Sequence, residues 1–322
     1  MKRTYITMTE NFGLSKKNKI VVIGAGNVGQ AIAYTLMVRR QANDIVIIDK
    51  DTDKAKSAAE DIAHGTGFFS QISVRTGDYR ECADAFLIII TAGKVRAADQ
   101  SRLELAKDNI SIAREITAEI MKYCDNPLLL VVSNPVDIIT AAVLDESGLP
   151  RGRVIGSGTS LDTARFRHLI SEALNLNVSD VNAYVLGEHG DSQVHIWSDV
   201  HIAGIPLFEY ERQMQMPLDK ELISRRTKKG GAEIIAGKGA TFYGVAMAVS
   251  NISEIILNDK QGIVPVSHML SNKFGCWAGA VISMPCIVGS SGITKTIMIP
   301  MSDEEKEAMD RSAEIVLEMQ KL

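Results

Sequence analysis

The chain has 322 residues, of which 46% are hydrophobic and 23% charged, and its formal net charge is −4 at pH 7. This length is enough to bury a large core and predicts two domains, or one long domain with an appendage. Because the net charge is weakly negative, a nucleic-acid partner is not expected. The six histidines are scattered and form no ligand pair at helical spacing, so no metal site is predicted.

Cysteine usage and the apolar stretches bear on the compartment. The four cysteines include no C-x-x-C pair, which predicts reduced thiols and a cytoplasmic protein. Lys2 and Arg3 precede polar residues, so no signal peptide is predicted. The longest uncharged stretch, 274–294, contains Pro285 and several glycines and therefore predicts two buried strands with a turn, not a membrane span.

The first elements of the chain are predicted from short apolar runs. Residues 1–18 are mostly polar, and we interpret them as an N-terminal tail or as an arm that lies on a neighbouring subunit. The apolar run 20–23 predicts a buried parallel strand, because it is too short for a core helix and glycines follow at once. A helix is predicted at 30–38 and a second strand at 45–48.

Three glycines between the first strand and the first helix have the G-x-G-x-x-G spacing: Gly24, Gly26 and Gly29. At these positions a side chain would obstruct a tight turn, a pyrophosphate or the strand beneath the helix. The free N–H groups at the start of the helix would face an anion bound there. Asp49 ends the second strand about 20 residues after the last glycine, where a carboxylate can accept both ribose hydroxyls. Strand, turn, helix and acid together predict an NAD site.

Asp49 also bears on the choice between NAD and NADP. Its carboxylate would repel the additional 2′-phosphate of NADP. Lys50, Lys54, Arg39 and Arg40 lie nearby in sequence and could partly offset that repulsion. We favour NAD as the cofactor.

The strand pattern recurs through the first half of the chain. Further strands are predicted at 72–75, 85–90, 128–132 and 154–155, with helices at 54–62 and from about Arg102 onward. This alternation predicts an α/β fold with a Rossmann-type, doubly wound parallel sheet, and we assign 19–156 as the NAD-binding domain. Small or polar residues follow two of the strands, where such sheets bind ligands: Thr91, Ala92, Gly93 and Asn134.

The second half of the chain mixes strands with helices. A polar segment, 94–101, precedes a long helix that begins near Arg102, and we interpret this segment as a mobile lid. Beyond residue 156, strands are predicted at 181–186, 280–282 and 297–299, and helices at 161–173, 232–258 and 303–322. We therefore assign 157–322 as a mixed α+β substrate domain.

Several longer patterns combine with the glycine fingerprint: SRLELAKDN at 101–109, VSNPVDI at 132–138, GSGTSLDTARFR at 156–167, GEHGDS at 187–192 and KGATFYGVAM at 238–247. With them the sequence resembles the NAD-dependent L-lactate dehydrogenases of the lactate and malate dehydrogenase family. The resemblance extends from about residue 19 to the C-terminal helix. It implies reversible hydride transfer between NADH and pyruvate, giving L-lactate, and a homo-oligomer, either a tetramer or a dimer.

The resemblance assigns a catalytic set of His189, Asp162 and Arg102. A carboxylate beside an imidazole raises its pKa, so His189 can hold a proton near neutral pH and deliver it to the substrate carbonyl oxygen. The family implies Asp162 as the partner of His189, whereas Asp191 is nearer in sequence and is the alternative. Arg102 would bring a positive charge to the polarised carbonyl when the lid closes.

The resemblance also implies the residues that bind substrate and cofactor. Arg165 lies three residues after Asp162 on the same helix face and can clamp a carboxylate through two parallel hydrogen bonds. Asn134 is expected to bond substrate or nicotinamide, and Thr241 to line the pocket, although a turn and helix packing are the ordinary roles of such residues. The expected cofactor contacts are Gly24, Gly26, Val28, Gly29, Asp49, Lys54, Thr91, Ala92, Gly93, Val132 and Asn134.

One substitution in the lid departs from the lactate-type pattern. Arg96 stands where lactate-type members usually carry glutamine and where malate-type members use arginine to bind a second carboxylate. An arginine about 4 Å from that carboxylate is worth on the order of 4 kcal/mol before desolvation, so an inward Arg96 would favour oxaloacetate. Thr241 and the flanking motifs are lactate-like, and we predict a lactate-type enzyme. Malate activity, a broader L-2-hydroxyacid dehydrogenase and a non-catalytic NAD-binding protein are the alternatives.

A second departure concerns regulation. Many bacterial members are activated by fructose 1,6-bisphosphate, which an arginine and a histidine bind between subunits. Arg167 matches the arginine, but Asn182 stands in place of the histidine, so we expect this activation to be weak or absent. His195 occupies a position that is usually proline, and the sequence alone suggests no reason for it.

Overall fold

The computed structural model describes residues 18–68, 72–94 and 102–322, with Arg102 described by its backbone alone. The interpretation of the N-terminal tail and the direction of Arg96 therefore lie outside the described residues. Within the described ranges, the helices lack the combination of length and apolar composition that a membrane span requires.

Parallel strands and helices alternate through the first half of the described chain. Strands β1 to β6 cover Lys19–Ile23, Asp44–Ile48, Ser73–Thr76, Leu87–Ile90, Leu129–Val131 and Val154–Gly156. Helices α1 to α4 cover Asn27–Val38, Thr52–His64, Arg102–Met121 and Val136–Ser147. The strands are ordered β6-β5-β4-β1-β2-β3, and every neighbouring pair is parallel. The prediction of a doubly wound Rossmann-type sheet is confirmed.

The parallel strands are buried because helices cover both faces of the sheet. Along β1, Ile20 and Val22 pack in one apolar cluster, whereas Val21 and Ile23 pack in another on the opposite face. Such two-sided burial explains why the strand reads as a continuous apolar run without alternation. The strand order reverses between β1 and β4, and this reversal leaves a crevice at their carboxyl ends.

The second half of the chain mixes helices with strands, as predicted, and these strands pair antiparallel. Its helices α5 to α9 cover Ser160–Leu174, Leu207–Met214, Lys220–Lys238, Tyr243–Leu257 and Asp303–Met319. Its strands β7 to β12 cover Val181–Leu186, Val194–Ile202, Ile205–Pro206, Gly262–Met269, Val281–Gly289 and Gly292–Thr296. Strands β10 to β12 extend the large sheet beyond β6, and β7 to β9 form a separate sheet.

Two predicted elements are wrong. The single helix at 232–258 is two helices, because Gly239 has a left-handed φ of +82° and ends α7 before α8 begins at Tyr243. The apolar pattern continues across this break and concealed it. The strand at 297–299 is also wrong, since β12 ends at Thr296 and the following residues have no regular structure. Helices α4 and α6 and strands β8, β9 and β10 were not predicted.

Candidate active site

The turn between β1 and α1 is too closely packed for side chains at two of its glycines. A Cβ on Gly29 would overlap the carbonyl oxygen of Gly24, and a Cβ on Gly24 would lie 2.8 Å from the Ala92 nitrogen. Gly24 also has a φ of +114°, which favours glycine. In contrast, no described atom lies within 4 Å of a Cβ built on Gly26, which caps the start of α1 without a side chain. The open space at this helix N-terminus fits a pyrophosphate.

The carboxylate of Asp49 is held against this turn. Its Oδ2 accepts the Ala25 N–H at 2.6 Å, and its Oδ1 accepts the Asp51 N–H at 3.0 Å. The Asp49 side chain is partly exposed, so oxygen lone pairs remain for ribose hydroxyls. Arg39 does not offset this negative charge, because its guanidinium pairs with Glu254 at 2.5 Å. The carboxylate and the open turn together fit the ribose and phosphates of NAD.

Side-chain hydrogen bonds join the strand ends beside the turn. The Thr91 hydroxyl donates to the carbonyl oxygens of Ile23 and Gly24, at 3.1 and 3.2 Å, and so ties the end of β4 to the end of β1. Asn109 is buried on α3; its Oδ1 accepts the Lys94 N–H at 2.7 Å. Its Nδ2 donates to the Asn134 carbonyl oxygen at 2.8 Å. Asn109 thus connects the chain after β4 with the chain after β5, a role that the sequence analysis did not assign.

An imidazole, a carboxylate and a guanidinium form one cluster at the start of α5. The Nδ1 atom of His189 lies 2.6 Å from Oδ2 of Asp162, and Arg165 donates from Nη1 to Oδ1 of the same carboxylate at 3.1 Å. Asp162 is buried, whereas 26% of the His189 side chain is exposed. One buried carboxylate therefore orients the two groups that the resemblance assigns to proton transfer and substrate binding. The nitrogen Nδ1 is thus engaged by Asp162, the partner that the family implies.

The contact between His189 and Asp162 shifts the pKa of both residues. Burial alone would lower the pKa of His189, but the charge and hydrogen bond of Asp162 outweigh it and raise that pKa to about 9. Burial alone would raise the pKa of Asp162, but the charge and hydrogen bond of His189 hold it below the ordinary value. His189 is therefore protonated and Asp162 ionised near neutral pH. A charged imidazole beside a cavity is suited to act as a general acid.

The cluster faces a cavity of about 970 Å³. The predicted site residues that line this cavity are Val28, Val132, Asn134, Asp162, Arg165, His189 and Thr241. Thr241 reaches the wall because it lies in the break between α7 and α8. Arg102 is the first residue of α3, and Leu103 and Leu105 of the same helix line the cavity. The fold thus gathers one contiguous wall from residues that are far apart in sequence.

Helix α7 contributes a stretch of small residues to the cavity wall beside Arg165. Gly231 and Ala232 line the cavity, and a Cβ on Gly231 would lie 3.6 Å from Nη2 of Arg165. A Cβ on Gly230 would lie 3.6 Å from the Cδ atom of the same arginine. Both distances are those of ordinary van der Waals contact, so the Arg165 side chain lies against this part of α7.

Arg167 and Asn182, the two positions considered for activator binding, are neighbours. The Nε of Arg167 donates to the Ala183 carbonyl oxygen at 2.8 Å, and its Nη2 lies 3.5 Å from Oδ1 of Asn182. The guanidinium also lies over the Tyr184 ring, 5.2 Å from its centroid. The two hydrogen bonds use two of the five N–H donors of this arginine.

One carboxylate of the site was missed. Asp137, in the first turn of α4, is buried and accepts the backbone N–H of His189 at 2.6 Å. It lies within the VSNPVDI motif, but no role was assigned to it from the sequence. The available signal was an aspartate inside a helix whose other first-turn residues are apolar.

Comparisons with known proteins agree with this geometry. Two family models match the chain: the lactate/malate dehydrogenase NAD binding domain over 18–156 and the lactate/malate dehydrogenase alpha/beta C-terminal domain over 159–321. L-lactate dehydrogenase 1 of Clostridium acetobutylicum is 41% identical, covering 95% of this chain and 98% of the relative. L-lactate dehydrogenase of Thermoanaerobacter sp. is 42% identical, covering 93% of this chain and 97% of the relative.

Solved structures are also similar. The minor L-lactate dehydrogenase of Enterococcus mundtii, in a ligands-bound form, superimposes with a TM-score of 0.90 at 37% identity, covering 95% of this chain and 98% of that one. The L-lactate dehydrogenase of Clostridium thermocellum gives a TM-score of 0.84 at 43% identity, covering 94% of this chain and 98% of that one.

Proposed function

Because the chain belongs to the lactate/malate dehydrogenase family, we propose that it is an NAD-dependent L-lactate dehydrogenase. The reaction is reversible hydride transfer between NADH and pyruvate, giving L-lactate. The observation that carries the proposal is the placement of His189 and Arg165 on one buried carboxylate, Asp162, at the wall of a cavity. A protein that only bound NAD would need the glycine turn and Asp49 but not this polar cluster.

Substrate binding follows from the charge and shape of Arg165. Its guanidinium is permanently charged, and its planar donors match the two oxygens of a carboxylate. Since Asp162 holds one of its nitrogens and α7 packs against its stem, the side chain is oriented before substrate arrives. Arg165 would therefore bind the pyruvate carboxylate and fix the carbonyl group beside His189.

Proton transfer follows from the orientation of His189. Its Nδ1 is engaged by Asp162, so Nε2 is the nitrogen that can face the substrate carbonyl. Bound NADH would supply the hydride to the carbonyl carbon. His189 gives its Nε2 proton to the carbonyl oxygen and becomes neutral, and in lactate oxidation the neutral imidazole takes that proton back. Asp162 stabilises the charged imidazolium and holds the ring in place.

The cofactor assignment rests on the glycine turn and Asp49. We propose that Gly24, Gly26, Gly29, Val28, Asp49 and Lys54 contact the adenosine and pyrophosphate half of NAD, and that Thr91, Ala92, Gly93, Val132 and Asn134 contact the remainder. Preference for NAD over NADP is supported because Arg39 is paired with Glu254. The charge of Arg39 is therefore not available to offset the repulsion between Asp49 and a 2′-phosphate.

The remaining assignments are proposals of the same kind. The family models meet between 156 and 159, which supports the division at residue 156 into cofactor and substrate domains. Apolar side chains exposed on α8, Tyr243 and Met247, support assembly into a homo-oligomer. We propose a cytoplasmic enzyme, in keeping with its free cysteines. Activation by fructose 1,6-bisphosphate is proposed to be weak or absent, because Arg167 lies beside Asn182.

The test is a direct assay of the purified chain. NADH absorbance should fall when pyruvate is added, and a stereospecific assay should identify the product as L-lactate. His189→Asn should retain NADH binding but lose turnover, which separates catalysis from cofactor binding. The absence of turnover with pyruvate and with other 2-oxo acids would instead support a non-catalytic NAD-binding protein.

A further inference from the structure

Two carboxylates from different helices hold His189. Asp162 of α5 bonds its Nδ1 at 2.6 Å, and Asp137 of α4 accepts its backbone N–H, also at 2.6 Å. Asp137 is only 3% exposed. The side chain and the peptide of the histidine are therefore positioned by separate elements, and the second of these has no assigned role in the reaction.

A chain of hydroxyl groups connects Asp137 to the helix that carries Asp162. Ser267 of β10 donates to Oδ1 of Asp137. The Ser267 and Ser283 hydroxyl oxygens are 2.9 Å apart, and Ser283 accepts the Thr159 N–H at 3.0 Å. Thr159 is the residue before α5. Because Ser267 has a single hydroxyl proton and donates it to Asp137, the hydrogen bond between the two serines must be donated by Ser283. Each hydroxyl donor in the chain therefore points towards the carboxylate. This direction is the one that stabilises an ionised Asp137.

The side chains of this hydrogen-bond network are closely packed. Both serines are fully buried, and the Ser283 backbone exchanges hydrogen bonds with Gly187 at 3.0 and 2.8 Å, at the base of the turn that carries His189. Gly158 has a φ of +50°, and a Cβ there would lie 2.7 Å from the Ser267 nitrogen. The network therefore joins the His189 turn and the start of α5 through β10 and β11.

The charge on Asp137 also acts on the imidazole. Burial raises the pKa of Asp137 to about 6, while its bonds to Ser267 and His189 oppose that rise. Its negative charge adds to that of Asp162 in raising the pKa of His189, and the charge of Arg165 opposes both. The other titratable groups around this turn are Glu188, Asp191, His195 and Lys228.

We propose that Asp137 is a positioning residue for hydride transfer, which fixes the His189 peptide and places a second buried negative charge beside the imidazole. Through Ser267 and Ser283, it couples the orientation of His189 to that of α5. The proposal rests on the proposed dehydrogenase function for its kinetic consequence. Its structural consequence, the protonation of His189, can be measured without turnover.

Asp137→Asn tests the charge while keeping an oxygen that can accept the His189 N–H. The pKa of His189, measured by NMR of the free protein, should fall by roughly one unit or more, as expected for the loss of a nearby charge. The kcat for pyruvate should fall while its KM changes little, because Arg165 is untouched. If the free-protein pKa of His189 is that of the wild type, the proposal is wrong whether or not the chain turns over pyruvate.

Ser267→Ala is the second variant and keeps the test open should Asp137→Asn fold poorly. Loss of this hydrogen bond should raise the pKa of Asp137, so the acidic limb of kcat/KM for pyruvate should move to higher pH. Ser179→Ala, in an exposed short helical turn away from the site, is the matched control and should leave the profile unchanged. A lower unfolding temperature in Ser267→Ala with an unchanged pH profile would show a merely structural role and overturn the proposal.

Discussion

The buried carboxylate of Asp162 contacts the imidazole of His189 at the ring edge, with Oδ2 2.6 Å from Nδ1. Asp162 lies on α5 and His189 in the turn after β7, 27 residues later in the sequence. Because this contact raises the pKa of His189 to about 9, it determines how the enzyme should respond to pH.

Pyruvate reduction should be lost at alkaline pH. The reaction requires protonated His189, whose pKa is raised to about 9, so the protonated form persists below that value and disappears above it. The kcat/KM for pyruvate should therefore fall above about pH 9, with NADH kept saturating. Lactate oxidation needs the neutral imidazole and should show the opposite trend. A fall in reduction centred near the ordinary histidine pKa would contradict the assignment.

Asp162→Asn should impair reduction without removing the histidine. Loss of the charge lowers the pKa of His189 and leaves the imidazolium without its partner, and loss of general acid catalysis costs roughly 10²- to 10⁴-fold. Steady-state rates across pH measure this effect. Asp191→Asn is the matched control, since Asp191 is nearer in sequence, and it should retain the wild-type pH profile. The reverse result would make Asp191 the functional partner.

Arg165→Lys should raise the KM for pyruvate much more than it changes NADH binding. A lysine keeps the charge but loses the second parallel hydrogen bond, and a bond to a charged group is worth about 1.5–3 kcal/mol. That corresponds to roughly 10- to 150-fold in affinity. Arg226→Lys, on the exposed side of α7 opposite Glu172, is the control and should have normal kinetics. Equal effects of the two substitutions would argue against a substrate role for Arg165.

Pyruvate should be preferred to oxaloacetate in a single assay with both substrates. The flanking motifs are lactate-like, and the relatives are L-lactate dehydrogenases. The exception is Arg96, so Arg96→Gln should further reduce any activity on oxaloacetate while leaving pyruvate turnover largely unchanged. The ratio of kcat/KM values measures the preference. A large excess in favour of oxaloacetate would replace the lactate assignment by a malate-type one.

Fructose 1,6-bisphosphate should leave the KM for pyruvate nearly unchanged. Arg167 donates to the Ala183 carbonyl oxygen and lies beside Asn182, whose neutral amide adds no positive charge. Pyruvate saturation curves with and without the sugar bisphosphate test this expectation. Asn182→His supplies the missing imidazole and is the informative comparison. A marked fall in KM for the unmodified chain would show that the activator site functions without histidine.

The sequence by itself determined the cofactor half of the protein. The glycine spacing, the apolar strands and the position of Asp49 are local features, because consecutive elements of a doubly wound sheet lie next to one another and a short motif specifies their geometry. The alternation that predicted the sheet survives in the structure, with strand ends that differ by one or two residues. The family resemblance extended the prediction to the substrate site, because His189 and Arg165 also lie in short motifs.

Only the tertiary structure decided which groups meet across long separations. It placed Asp162 against His189, where the sequence had left Asp191 as an alternative, and it brought Asp137 to the same histidine from 52 residues away. It joined Asp137 to the start of α5 through Ser267 and Ser283. It also ended α7 at Gly239, which puts Thr241 in the cavity wall. Hydrophobic periodicity records which face of an element is buried but carries no information on what lies opposite. Those contacts depend on how β10, β11 and the helices pack, and no local pattern specifies that packing.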